Sequence, residues 1–247
     1  MQDVVLVEDI DAEAELDRLA QHYRTAGGAG VRLLNALGGS AESLIDQLPE
    51  PVRQGLTGAT KSALWLAIQA AQGSRRAVPD QEPWVNTAVT TAMGAAGGIG
   101  GLSTSLVELP ATTAMLLRSI QGAAAREGFD PAEENVKFDC VRVLSAAGPL
   151  SYDVGADLGF FSVRLTLTGP AMQRLIAAVA PRLSIVLGQK LAAQSVPLLG
   201  ALAGGGTNYI YTRYYQQIAH VHFGLRRLAI DADIPHDQLV RMLSSRM

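Results

Sequence analysis

With 247 residues and a formal net charge of −3, the chain is long enough for one large core or two modest domains, and it lacks the overall basic field that nucleic-acid binding calls for. Hydrophobic residues at 48%, charged residues at 17% and a mean hydropathy of +0.18 exclude a disordered chain. Aromatics are only 5% beside abundant Ala, Leu and Gly. That balance favours helices meeting through small residues, so the expected fold class is all-α, a compact multi-helix bundle.

Residues 9–25 read as an acidic amphipathic helix with Leu16, Leu19 and Ala20 on its apolar stripe, broken by Gly27, Gly28 and Gly30. A short helix over 31–37 and a serine-capped start at Ser40 follow. Between Pro51 and Gln72 the spacing of Leu56, Ala63, Leu64, Ala67, Ile68 and Ala71 marks the inward face of a longer helix. Residues 73–83 are linker-like in composition and read as an exposed loop.

From Pro83 to Val107 there is no charge, and Gly94, Gly97, Gly98, Gly100 and Gly101 lie within the run. By length it matches a bilayer core of roughly 30 Å. Each glycine costs a helix interior up to about 1 kcal/mol, so the expectation is a helix to about Ala96, a glycine turn and a second helix. A helix over 109–127 ends at Gly128, and Asp130-Pro-Ala-Glu133 supplies an N-cap acid, a proline and a glutamate for the next, which runs to Ala147. Two short segments over 152–168 precede a long helix from Ala171 to Gln194, which Pro181 is expected to kink or divide. A second uncharged run, Leu191 to Thr212, contains Pro197 and Gly204-Gly-Gly206 and is likewise expected to break, with Asn208 capping the helix that follows. The two glycine-rich runs are expected to pack against each other. Pro235 opens a short final helix.

Charge is unevenly spread. Residues 1–25 hold seven acids against Arg18 and Arg24, whereas residues 140–230 hold eight bases against Asp153 and Asp157 alone. A stretch both apolar and basic suits anionic lipid headgroups. Cys140 is the single cysteine, which rules out an internal disulfide and suits a reducing compartment. The acidic N-terminus shows no signal peptide, so the expected location is cytoplasmic, peripheral to the inner face of the membrane.

Zinc-protease, nucleophile-elbow, Walker and dinucleotide motifs are absent, so no catalytic residue, metal or cofactor is assigned. The candidate ligand-binding residues are Glu108, Arg118, Asp153, Asp157, Asn208 and Tyr211. Glu108 is the only charge between Glu82 and Arg118, and such an acid pairs, caps a helix or carries a raised pKa. Asp153 and Asp157 share a helical face at a spacing of four. Backbone N–H groups near Asn208 offer an anion site. His220 and His222, two apart on a helix, point to different faces and are not a chelating pair.

The glycine-rich segment followed by Leu106-Val-Glu-Leu-Pro110, then Leu117-Arg118-Ser-Ile-Gln121 and Gly128-Phe-Asp130, resembles the EcsC protein family. Val196-Pro197, Gly200-Ala201, Gly204 and Asn208 continue the likeness, which covers about residues 85–230. The linker-like segment separates an N-terminal helical region over 1–78 from an EcsC-like helical core over 79–247, the two expected to form one compact unit. The resemblance implies a link to membranes and secretion, since the family takes its name from a gene beside an ABC transporter; its biochemical activity is unsettled. The expected function is non-enzymatic and membrane-peripheral, with an anionic membrane surface or membrane-protein partner and a lipid ligand as partners. The alternatives are a peptidase-like hydrolase using buried carboxylates and a lipid- or small-molecule-binding protein.

Overall fold

The computed structural model describes residues 11–32, 45–46, 48–77, 83–107, 109–146, 148–149, 171–194 and 200–247. Among these there are eight helices and no strand: α1 (Ala12–Ala26), α2 (Glu50–Ala77), α3 (Pro83–Val107), α4 (Leu109–Arg126), α5 (Glu134–Val143), α6 (Ala171–Gln194), α7 (Gly200–Asp231) and α8 (His236–Ser244). The fold class is all-α.

Asp11 caps α1 by accepting from the backbone N–H groups of Glu13 and Ala14, both at 3.1 Å. Leu16, Leu19 and Ala20 are buried as their spacing required, and α1 packs along α7. The inward residues expected of α2 are buried from Leu56 to Ile68, between α4 and α6. That helix outruns its expected end and carries part of the linker-like segment up to Ala77.

Two expectations are overturned at the glycines. α3 is one helix from Pro83 to Val107 with no turn inside it, and α7 passes unbroken through Gly204-Gly-Gly206. At Gly205 the reason lies in packing between the two. A Cβ added to Gly205 would lie 3.1 Å from the backbone oxygen of Thr91, so glycine lets the helices approach closely enough to offset its weak helix propensity. The two runs do pack together, with α3 antiparallel to α7, since Gly205 meets Thr91 while Gln216 reaches back to Pro83.

Gly128 adopts φ +83°, and the N–H of Phe129 returns to the carbonyl of Ala124 at 3.0 Å, ending α4 as the sequence implied. The helix expected to start at Asp130 starts instead at Glu134. Asp130 accepts from the N–H of Ala132 at 2.8 Å and so stabilises a turn ahead of α5. α6 is a single helix through Pro181, not two. Its stretch Ala171–Ala192 is the one described segment long and apolar enough to cross a membrane, yet 72% of that window is buried by the rest of the protein. The capped starts at Ser40 and over 31–37, and the segments over 152–168, fall largely or wholly outside the described residues.

Candidate functional site

The seam between α3 and α7 is lined by buried polar side chains. Asn208 is buried in mid-helix rather than capping one, and its Nδ2 donates to the carbonyl of Thr90 at 2.7 Å. Thr212 donates to the hydroxyl of Thr90 at 2.9 Å, and Gln216 Nε2 donates to the carbonyl of Pro83 at 3.1 Å. Asn208 Oδ1 and Gln216 Oε1 are buried acceptors without a hydrogen bond among the described residues. Tyr211 is fully buried on the neighbouring face, its hydroxyl donating to the carbonyl of Val186 at 3.4 Å. Burial pushes the phenol pKa of Tyr211 well up, and that of Tyr215 as well, so both stay neutral packing residues. Arg118 is buried in α4. Glu108, Asp153 and Asp157 lie outside the described residues. Of the six candidates, then, Asn208 and Tyr211 share α7, and Arg118 lies on α4.

The uncharged α3 leads directly into α4, which ends in the Gly128 turn. Residues 74–153 match the model of the EcsC protein family. The EcsC-like stretch thus comprises the end of α2, all of α3, α4 and α5, and the Leu106–Pro110 and Gly128–Asp130 signatures. It stops before Val196–Asn208. A curated relative, the uncharacterized protein YdbA of Bacillus subtilis, is 27% identical over 172 residues, covering 66% of this chain and 58% of its own length. The chain therefore spans less than two thirds of that relative. No solved structure matches it.

A cluster unforeseen in the sequence joins the end of the EcsC-like α4 to α1 and α7. The rings of His22 and His220 stack with centroids 5.3 Å apart. His220 Nδ1–H donates to Glu127 Oε1 at 2.7 Å, and His22 Nδ1–H donates to Gln217 Oε1 at 2.5 Å. The other ring nitrogens face guanidiniums: Arg18 lies 3.3 Å from His22 Nε2, and Arg126 lies 3.5 Å from His220 Nε2. Since a carboxylate or amide oxygen can only accept, each Nδ1 carries the proton of its hydrogen bond. Burial alone would raise the Glu127 carboxyl, but the hydrogen bond from His220, with the charges of His220, Arg18 and His22, holds it below its ordinary value. The partners come from positions 18–22, 126–127 and 217–220, so no local spacing announced them.

His222 points elsewhere, as its offset from His220 required. It is buried, with Nε2 3.7 Å from Asp139 Oδ1. Asp139 also receives Arg226 at 2.8 Å and Arg142 at 3.3 Å, and Arg226 sits 4.5 Å over the ring of Phe129. Burial would raise the Asp139 carboxyl; His222, Arg142 and Arg226 outweigh it and lower its pKa. This is an internal ion-pair network that fixes α5 against α7. Cys140 beside it is fully buried.

Proposed function

We propose that this EcsC-like chain is a non-enzymatic helical protein of the cytoplasmic face, docking peripherally on anionic membrane. The observation that carries the reading is the separation of acids from exposed apolar side chains. Beyond Glu50, α2 has no acid; α3 and α6 have none, and α7 has none before Asp231. Seven of the eight large exposed hydrophobic residues found among the described residues lie on these acid-free stretches: Trp65 and Leu66 on α2, Trp84 and Val89 on α3, Ile185 on α6, and Tyr209 and Ile230 on α7.

On the α2–α6 surface, Trp65 and Leu66 flank a hollow shared with Lys61, Gln173 and Ile176. Arg174 and Arg182 are exposed on α6 nearby in sequence. Apolar side chains gain about 1.5–3 kcal/mol each on leaving water, and each cation near an anionic leaflet adds about 1 kcal/mol that salt screens away. Trp and Tyr at half exposure are the side chains suited to the headgroup layer.

Vesicle flotation tests the reading. The protein is expected to float with phosphatidylglycerol-rich vesicles at low salt, to float less at high salt, and to stay down with purely zwitterionic vesicles. Trp65→Ser with Leu66→Ser, both at exposed positions, is expected to halve flotation or more. Protein that remains in the soluble fraction with anionic vesicles at low salt refutes the proposal.

A further inference from the structure

One face of α7 carries Tyr209, Arg213 and Gln217 at successive spacings of four, with α1 packed on one side of the helix and α3 on the other. Two hollows meet along this stripe. The one toward α1, of about 400 Å³, is lined by polar and cationic groups, chiefly Arg18, His22, Thr25, Arg213 and Gln217. The one toward α3, of about 460 Å³, is lined by Trp84, Ala88, Ala92, Ala95 and Tyr209, and again by Arg213. Thr87 and Thr91 also face it, but each hydroxyl is spent on a carbonyl four residues back, at 3.0 and 2.7 Å. The α3 wall therefore presents a predominantly hydrocarbon surface.

No carboxylate lines either hollow. Arg213 is exposed, belongs to both, and makes no ion pair among the described residues. Each hollow falls in the 300–1,000 Å³ range of small-molecule sites, and the exposed guanidinium of Arg213 suits a phosphate held by paired N–H donors. A cationic cup continuous with an apolar groove has the chemistry of an amphiphile with a phosphate at one end.

We propose that this double hollow binds one phosphate-bearing lipid, its phosphate at Arg213 and its acyl chain along Trp84, Ala88, Ala92, Ala95 and Tyr209. The proposal extends the membrane reading by naming a lipid class, and it places the site on α1, α3 and α7 rather than on the α2–α6 surface. The two thus fail separately.

A Trp65→Phe protein leaves Trp84 as the only tryptophan, a fluorophore at the mouth of the groove. Dihexanoylphosphatidic acid, titrated below its micelle concentration, is expected to blue-shift Trp84 emission saturably. Arg213→Gln is expected to weaken that binding at least tenfold, with Arg213→Lys recovering part of it. Ala92→Glu, at an exposed position, is expected to abolish the shift by charging the groove. Dihexanoylglycerol, which has the chains without the phosphate, is expected to give no saturable shift. If inorganic phosphate competes as strongly as the lipid binds, the site is a phosphate site without a chain and the proposal is overturned. If dihexanoylglycerol binds equally well, or if Trp84 does not respond while the protein still floats with anionic vesicles, the proposal is likewise overturned and the membrane reading stands. Saturable binding without flotation overturns the membrane reading alone.

Discussion

Glu127 sits where α1, α4 and α7 meet, accepting from His220 at 2.7 Å and lying 3.5 Å from Arg18. Because its folded pKa lies below the ordinary 4.5, its contribution to stability is fully present above that value and is lost as pH falls through the folded pKa. Glu127→Gln is therefore expected to lower unfolding stability at pH 7 by about 1–2 kcal/mol, measured by urea denaturation. The gap between variant and wild type should close as the solution is acidified below pH 4.5. A gap that widens on acidification contradicts the assignment. At this scale the sequence was only partly legible. The opposite orientations of His220 and His222 follow from helical geometry alone. Their partners Glu127 and Asp139 are brought to them by tertiary packing across 93 and 83 residues of chain, which no local spacing records.

Among the elements, α3 and α7 show where local propensity misleads. Counting glycines as helix breakers predicts a turn in each run, and each is a continuous helix. The missing quantity was the close approach of two backbones, which only small residues permit. Gly205→Val is therefore expected to cost about 1–3 kcal/mol through overpacking against Thr91, read as a fall in the urea midpoint. Were Gly205 merely a tolerated residue, the same change would stabilise α7 through its better helix propensity. Asn208, read as a cap, is instead a buried donor to Thr90 for the same reason: α7 begins eight residues earlier than isolated propensity implied. The amphipathic stripes of α1 and α2 were legible because burial there follows simple periodicity.

At the scale of the molecule, the basic character of residues 140–230 divides once the chain is folded. Lys190 is buried, Arg142 and Arg226 serve Asp139, and Arg227 pairs with Asp231 at 2.5 Å. Arg174, Arg182 and Arg213 remain exposed. The acids of α1 are drawn into contacts with the C-terminus, where Arg246 meets Glu13 and, at 3.1 Å, Asp17. What the linear charge count could not reveal is that the exposed tryptophans and leucine accompany helices from which acids are missing. That pairing of apolar exposure with acid-free helices is the basis of the proposed membrane contact. Its most direct measurement is quenching of Trp65 fluorescence, in a Trp84→Phe protein, by phosphatidylglycerol vesicles carrying bromine on the acyl chains. Membrane docking through the α2–α6 surface predicts quenching at low salt that salt reverses. Trp65 emission unchanged by brominated anionic vesicles at low salt would contradict it.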